Sequence, residues 1–303
     1  MEATEKKLSQ SQWNLIVLIL AVAAGSLLYR LIAWGKLEQT ALLFIGIPSL
    51  LAILVTLTSK AKSAKGAIVK GITLALLLSG PLLGEGFVCI VMAAPVFYAV
   101  GILVGVMIDV NRRKQKATLT CLVLLLTPMS FEGVLPRLSF KRDQTVSASE
   151  VVQASVGEVE QAISRGPRTD VPLPYYLRMG FPRPTETSGT GLQPGSQRTI
   201  HFAGGEGHPG DLVMQVEEAR SGYVRFVAVA DHSKIAHWLD WKASEVRWEA
   251  IDPQRTRVTW TLSFQRRLDP AWYFTPWERY ATHLAADYLI KANATPVPTE
   301  RAH

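Results

Sequence analysis

Apolar runs of nearly equal length follow one another through the first third of the chain, and they constrain its fold more than any other feature. A helix needs roughly 17 to 25 residues of this kind to cross about 30 Å of hydrocarbon. Each run has about that length. The sequence therefore predicts membrane-spanning helices at residues 13–33, 41–58, 67–83 and 87–108.

The first run is preceded by Lys6 and Lys7, which would also suit a signal peptide. However, its apolar stretch is longer than that of a usual signal peptide, and no Ala-x-Ala-like cleavage site follows it. We therefore interpret it as an uncleaved span.

Positive charge is distributed unequally among the loops, and the third loop, residues 80–86, carries no Lys or Arg. Under the positive-inside rule the second and fourth loops are cytoplasmic, which places the N-terminus in the cytoplasm as well. Arg30 and Lys36 in the first loop are the exceptions. The cations of the second and fourth loops are Lys60, Lys62, Lys65, Lys70, Arg112, Arg113, Lys114 and Lys116.

A fifth apolar segment, residues 117–136, is free of Lys and Arg and would be just long enough to cross as a helix. Pro128 interrupts its backbone ladder, and Glu132 would lie near the interface, where a charge costs much less than at mid-bilayer. If the segment crosses, the chain after Arg137 lies outside the cytoplasm. If it lies flat, the chain has four spans and its second half faces the cytoplasm.

Glu85 and Glu132 would both lie at the outer ends of helices under the five-span arrangement. They could then approach each other and bind a cation or a partner, since acids in membrane segments often have a function. The alternative is that each is an interfacial acid that caps a helical hairpin.

The charge balance differs between the two halves of the chain. Residues 1–136 contain twelve Lys and Arg against six acids, whereas residues 137–303 contain twenty against nineteen. The second half therefore lacks the basic face that nucleic-acid binding requires. Cys89 and Cys121 lie inside apolar runs and form no disulfide framework.

After Arg137 the hydrophobic period becomes that of strands and short helices. Ser155 and Glu158 form a capping box that predicts a short helix. The Pro- and Gly-rich residues 181–195 predict a loop. DPQRT at 252–256 predicts a turn between two strands. The predicted strands are residues 146–153, 198–202, 211–217, 223–230, 244–251 and 257–266.

One parity of these strands is consistently apolar, which predicts an antiparallel sheet with one buried face and one wet face. A C-terminal helix is predicted at residues 276–292, with Trp277, Ala281, Leu284 and Tyr288 on one stripe. A curved sheet wrapped around this helix would bury both surfaces.

The second half resembles the START/polyketide-cyclase (SRPBCC) superfamily, whose helix-grip fold has the same order of elements. The resemblance covers about half of the chain and predicts an α+β helix-grip domain at residues 137–303, which follows the α-helical membrane bundle that the apolar runs predict at residues 1–136. The segments that carry it are VVQASVGEVEQAIS at 151–164, GTGLQPGSQRTIHFAGG at 189–205 and RVTWTLSF at 257–264.

The resemblance implies a cavity between sheet and helix that binds an apolar or amphipathic small molecule. Large aromatic side chains at inward positions agree with this, since they supply rigid apolar area with polar tips. The alternative is a solid core. The candidate cavity residues are Phe202, Met214, Trp248, Trp260, Phe264, Trp277, Tyr280 and Leu284.

Four residues are candidates for the mouth of this cavity. Arg198 and His201 follow the Gly-rich segment, and their parities differ, so at most one of them points inward. Trp238 and Trp241 could guard the mouth or touch a bilayer, although packing at the sheet edge would also explain them. The sequence has no recognised metal-ligand spacing, no Gly-x-Ser-x-Gly elbow and no dinucleotide loop, so it predicts no metal and no cofactor.

Three hypotheses about function follow. The first is a non-enzymatic, membrane-tethered module that binds a lipid-like molecule for sensing, transfer or envelope maintenance. The second is an enzyme of the cyclase or hydratase kind, which would need an acid/base pair in the cavity. The third is an interaction protein whose helices bind a membrane-protein partner without any ligand.

Overall fold

The computed structural model describes residues 10–34, 47–57, 61–83, 87–111, 132, 139–203 and 209–294. The chain divides into two compact units, Met1–Pro128 and Met129–His303. Within the predicted fifth span only Glu132 belongs to the described residues. That crossing and the candidate acid Glu85 therefore lie outside the described residues.

Helices form the described part of the N-terminal unit: α1 (Gln10–Trp34), α2 (Ile47–Leu57), α3 (Ala64–Leu83) and α4 (Phe87–Asn111). Within α4, Cys89–Val110 is long and apolar enough to cross a membrane, with a mean hydropathy of 2.4 and 11% of its apolar window buried. Gln12–Ala21 and Ile47–Leu57 are shorter apolar stretches. The described residues thus support one candidate span, and the predicted bundle of four or five spans is not shown.

Helices α3 and α4 approach each other closely at two glycines. A Cβ atom at Gly105 would overlap the backbone of Lys65, and one at Gly101 would overlap a side chain of α3. Glycines four positions apart let helix backbones come together in this way. Asp109 also accepts hydrogen bonds from the amides of Ala64 (2.7 Å) and Lys65 (3.0 Å), which satisfies two N–H groups in the first turn of α3.

The C-terminal unit contains a seven-stranded antiparallel sheet in the order β1-β7-β6-β5-β4-β3-β2. The first strand pairs with the last one, and the C-terminal helix α7 packs against both. This is the helix-grip order that the resemblance implies. The elements are β1 (Asp143–Val152), α5 (Val156–Arg165), α6 (Tyr175–Arg178), β2 (Arg183–Ser188), β3 (Gln197–Ala203), β4 (Gly210–Arg220), β5 (Tyr223–Asp231), a 3₁₀ helix (Lys234–His237), β6 (Leu239–Asp252), β7 (Arg255–Arg266) and α7 (Ala271–Asn293).

Alternate side chains of the sheet form the core with α5 and α7, as the strand parity predicts. Among them, Val216, Val246 and Val258 are almost completely buried. The predicted capping box is also confirmed: Ser155 Oγ accepts a hydrogen bond from the Glu158 amide, and the Glu158 carboxylate accepts one from the Ser155 amide at 2.8 Å. Local pattern therefore suffices for these features.

Residues 181–195, predicted as a loop, contain the edge strand β2, which pairs with β3. The composition misleads because an edge strand tolerates Pro184, whose missing N–H is not needed on the open side. Gly189 lies beyond the strand with φ 87°, and a Cβ atom there would overlap the carbonyl oxygen of Gln197. That position therefore requires glycine.

Helix α7 begins at Ala271, five residues before the predicted start, and its buried stripe is rotated by one residue from the predicted one. Glu278, Thr282, Ala286 and Ile290 are buried, at a spacing of four. The helix thus turns polar or mostly small side chains toward the sheet in its first half and aliphatic ones in its second half. Of the predicted stripe, Trp277 is exposed, Ala281 and Leu284 are half-buried, and Tyr288 is buried as predicted.

Candidate functional site

The inward face of β6 and β7 is a wall of aromatic side chains. Trp248 and Trp260 are buried in the main core, whereas Phe264 belongs to a smaller cluster near the end of β7. Trp241 packs against both clusters and meets the Phe264 ring edge-on, with 6.2 Å between centroids. Such a wall offers a large, rigid apolar area.

The two halves of helix α7 present different side chains to this wall. The residues that it adds to the main core all lie in its second half or at its C-terminal end, from Ala285 to Ala294. The buried stripe of the first half carries Glu278 and Thr282, and the Thr282 hydroxyl donates to the Glu278 carbonyl oxygen at 2.7 Å. We call the interior between this first half and the sheet residues Trp241 and Phe264 the grip site.

Arg266 lies at the end of β7 beside the grip site and is completely buried. Its guanidinium donates to the carbonyl oxygens of Leu268 (2.9 Å) and Phe140 (3.0 Å). It also forms ion pairs with Asp269 and, at 3.5 Å, with Glu132. A buried arginine needs this number of partners to offset its lost hydration.

Glu132 and Asp269 connect Arg266 to other elements. Glu132 Oε1 accepts a hydrogen bond from the amide of Ala271, the first residue of α7, at 3.0 Å. Asp269 Oδ2 accepts one from Arg142, just before β1, at 2.6 Å. The network holds the N-terminus of α7 against the ends of β1 and β7, and its two arginines balance its two carboxylates.

Glu278 lies near this network without a cation of its own. Both carboxyl oxygens are buried, and the nearby backbone amides of Leu268 and Arg267 do not reach them with good hydrogen-bond geometry. Burial raises the pKa of Glu278 to about 7. The backbone amides of Leu268 and Arg267 and the Arg266 charge oppose the rise, and the Asp269 charge adds to it. A carboxyl group with such a pKa can either donate or accept a proton near neutral pH.

Two indole N–H groups on the inward face also have no partner in the part of the chain that the structure describes. They belong to Trp241 and Trp248, whereas the Trp260 indole donates to Ser244 Oγ at 2.8 Å. Each buried polar group without a partner costs about 1–3 kcal/mol. An aromatic interior with such groups suits a ligand that has an apolar body and a polar end.

An aromatic rim lies at the same end of the sheet as the grip site. Tyr176 of α6 contacts Tyr280 of α7 and Phe181, with ring centroids 5.2 and 5.4 Å apart. Phe181 in turn contacts Trp238 at 5.3 Å. Trp238, a predicted mouth residue, thus lies in this rim, while Trp241, the other predicted tryptophan, lies farther inside.

The predicted cavity residues occupy three environments. Trp277 and Tyr280 are 40% and 51% exposed, which corrects the prediction that they line the interior. The rotation of α7 that buries Glu278 turns them outward. Phe202 and Leu284 are half-buried, and the buried ones are Met214, Trp248, Trp260 and Phe264.

Arg198, a predicted mouth residue, is instead buried against the end of α5. Its guanidinium donates to the carbonyl oxygens of Ile163 and Ser164, the latter at 3.2 Å, and of Gly191 at 3.3 Å. It also lies over the Phe226 ring at 4.7 Å. Burial lowers its pKa to about 10. Arg198 therefore caps a helix C-terminus, where a cation is favoured, and does not serve the grip site.

His201 lies on the opposite face of β3 from Arg198 and is half-exposed. Its Nδ1 is 2.6 Å from the Asp211 carboxylate on β4, so it forms a surface pair away from the interior. Among the described residues, no three His, Cys, Asp or Glu side chains come together in a group that could hold a metal ion.

The sequence reasoning missed Arg266, Asp269 and Glu278. A signal was present for Arg266, which continues the inward parity of β7. Glu278 had no such signal, because α7 also carries Arg279, Asp287 and Lys291. Glu132 was considered only as a membrane acid. Its carboxylate contacts Arg266 and Ala271, whereas Glu85 lies outside the described residues, so the pairing of the two acids stays a prediction.

No protein-family model and no curated protein matches the chain. The solved structures that resemble it cover its C-terminal half. They include the Zhui aromatase/cyclase from Streptomyces sp. R1128 (12% identity, TM-score 0.33, 49% of this chain and 92% of that one). A START superfamily protein from Mycobacterium smegmatis has 14% identity and a TM-score of 0.33, over 48% and 92%. Norcoclaurine synthase from Thalictrum flavum has 12% identity and a TM-score of 0.34, over 49% and 85%.

Proposed function

We propose that this protein is a membrane-anchored module that binds a hydrophobic or amphipathic, lipid-like molecule in the grip site, for sensing, transfer or envelope maintenance. One observation carries the proposal. The aromatic interior contains the buried indole N–H of Trp241, which has no partner among the described residues, and the buried carboxyl group of Glu278, which makes no hydrogen bond of good geometry with them. Native cores rarely leave such atoms unpaired, and the polar end of a ligand would pair with them.

The chemistry of the grip site favours a particular ligand class. Trp241 and Phe264 offer apolar surface for a ring or chain. Glu278 accepts a hydrogen bond when ionised and donates one when protonated, and the Trp241 indole only donates. An uncharged polar end such as a hydroxyl or carbonyl group suits this set, whereas an anionic end would face Glu278 and the already balanced network.

Native mass spectrometry of the full-length protein in mild detergent tests ligand binding. We expect a co-purifying lipid-like molecule. Thr282→Trp fills the inward stripe and should abolish the adduct, while Trp277→Ala on the outward side should retain it. A melting curve of Thr282→Trp separates lost binding from lost folding, and Glu278→Gln, of nearly the same shape, should weaken the adduct in a folded protein.

A wild-type protein that is empty in every preparation contradicts the binding proposal. If the empty wild-type protein also binds one membrane protein stoichiometrically, that result supports the hypothesis of an interaction protein without a ligand. That outcome would leave the unpaired atoms of the grip site to be satisfied by water.

The anchoring part of the proposal is supported by the apolar runs, by the candidate span Cys89–Val110 and by the loop charges. We place the N-terminus in the cytoplasm and the C-terminal unit outside, with residues 117–136 as the last crossing. Reporter fusions after Lys116 and after Lys141 should report opposite sides of the membrane. The same side for both would refute the fifth crossing.

Glu278 favours one alternative, an enzyme of the cyclase or hydratase kind. A buried carboxyl group whose pKa is raised to about 7 is suited to general acid or base catalysis. If the protein is an enzyme, incubation with the molecule identified by mass spectrometry should yield a product, and Glu278→Gln should still bind that molecule without converting it. An unchanged ligand after incubation with the wild type would contradict catalysis.

A further inference from the structure

Exposed aromatic and apolar side chains gather at the N-terminal end of α7. They comprise Trp272 (58% exposed), Trp277 and Tyr280 on the helix, together with Tyr175 (74% exposed) and Met179 at α6. We call these five residues the aromatic surface. Scattered exposed apolar residues are ordinary, but a contiguous group of them marks an interaction site.

Ring contacts join the aromatic surface to its neighbours in two groups. Tyr273 contacts Trp272 and Trp277, with centroids 5.7 and 6.4 Å apart. On the other side, Tyr280 contacts Tyr176, the chain neighbour of Tyr175, at 5.2 Å. The first group lies at the start of α7 and the second joins α7 to α6, and their helix members Trp277 and Tyr280 are three positions apart, which makes them neighbours on the helix surface.

The buried network holds this surface in position. Ala271, the neighbour of Trp272, donates its amide proton to Glu132, and Asp269 pairs with Arg142 and Arg266. The first turn of α7 is thus attached to the ends of two strands. Rigid aromatic side chains lose little conformational entropy when a partner covers them.

The chain itself indicates which partner covers the surface. Glu132, whose carboxylate binds the first turn of α7, follows a sequence that is free of Lys and Arg from residue 117 onward and apolar enough for hydrocarbon. Trp272 is therefore one residue from the point where this sequence meets the domain. Trp and Tyr are also the residue types that are enriched at membrane–water interfaces.

Charges beside the aromatic surface suit the same partner. The guanidinium of Arg178 lies 5.8 Å from the centre of the Tyr175 ring, and the exposed Arg279 is next to Tyr280 in the chain. Lys141 is exposed beside Arg142 of the buried network. Cations near a bilayer surface are attracted to anionic headgroups by about 1 kcal/mol each.

We infer that the aromatic surface lies in the interface of an anionic lipid bilayer, with its rings at the depth of the headgroups. This inference rests on the membrane attachment proposed above. It places the rim residues Tyr176 and Phe181 next to lipid. An amphipathic ligand can then pass between bilayer and grip site without crossing bulk water.

The test uses full-length protein in liposomes of phosphatidylcholine and phosphatidylglycerol, in a Cys89→Ser, Cys121→Ser background. An environment-sensitive fluorophore is attached at Trp272→Cys or, as a second position, at Trp277→Cys. The matched control is Ile251→Cys, which is also exposed but lies near the β6–β7 turn, at the opposite end of β7 from Arg266. Flotation with the liposomes reports membrane attachment separately.

We expect blue-shifted emission at positions 272 and 277, and quenching by headgroup-nitroxide lipids at least about twofold stronger than at position 251. Protein that does not float with liposomes refutes the attachment itself. Protein that floats but shows equal, water-like emission at all three positions overturns the docking inference alone. Blue-shifted emission without lipid quenching also overturns it, because protein would then cover the surface.

Discussion

Glu132 caps the N-terminus of α7 from 139 positions away in the sequence, with 3.0 Å between its Oε1 and the amide nitrogen of Ala271. The same oxygen lies 3.5 Å from the guanidinium of Arg266. One carboxylate thus satisfies a free amide of the helix and part of the charge of a buried arginine.

Replacing Glu132 by Ala should lower the free energy of unfolding of the C-terminal unit by about 2–4 kcal/mol, since a helix cap is lost and a buried arginine loses one partner. Glu132→Gln retains an acceptor and should cost less. Denaturant titration of tryptophan fluorescence in detergent measures this. The control is Glu249→Ala, which breaks the exposed pair with Arg257 and should change stability by less than about 1 kcal/mol. Equal effects of the two Ala variants would refute the role of Glu132.

Glu278 should make stability depend on pH. The pKa of Glu278 in the folded protein is about 7, above the ordinary value of 4.5, so the folded state binds the proton more tightly. The free energy of unfolding therefore falls as pH rises from about 4.5 to about 7, by at most about 3 kcal/mol. Glu278→Gln cannot titrate, so its free energy of unfolding should not fall in this way as pH rises.

Melting curves at pH 5 and pH 8 check the Glu278 prediction. The Gln variant should match the wild type at the lower pH and melt higher at the upper pH. Identical pH dependence in both proteins would show that Glu278 does not titrate in this range.

Arg198→Met should destabilise the C-terminal unit by about 2–4 kcal/mol, because the carbonyl oxygens of Ile163, Ser164 and Gly191 lose their buried donor. Arg220→Met is the matched control, since its guanidinium also lies over an aromatic ring, that of Tyr223, but is exposed. Amide hydrogen exchange of α5 should rise in the first variant only. Unchanged exchange in both would contradict the capping role.

Gly105→Ala should weaken the α3–α4 pair, since the added methyl group overlaps the backbone of Lys65. Gly71→Ala meets no atom within 4 Å and should stabilise α3 by up to about 1 kcal/mol through helix propensity. The melting temperature of the full-length protein in detergent should therefore fall in Gly105→Ala and rise in Gly71→Ala. A shift of the same sign in both variants would refute close packing at Gly105.

Much of the fold is predictable from local pattern. Alternation of apolar residues predicts which side of β6 and β7 faces the core, because successive side chains point to opposite faces of a strand. Ser155 and Glu158 lie in one turn, so the capping box depends on no distant residue. The apolar runs of the first half likewise predict the four described helices there.

The orientation of α7 is not predictable in this way. The helix has two candidate stripes, through Trp277 and through Glu278, and hydrophobicity alone selects the first. The packing selects the second, because Glu278, Thr282 and Ala286 are the residues that face the sheet, and Trp277 and Tyr280 then lie on the surface.

The sequence by itself determines the two-part organisation, the strand parity and the local caps, because each depends on residues within a few positions of one another. Only the tertiary structure decides the grip site. Glu132 lies 134 positions from Arg266 and 139 from Ala271 in the chain. Glu278 acquires its raised pKa from burial beside this network. Desolvation and long-range ion pairing have no local signature, so the residues that define the site emerge when the chain brings them together.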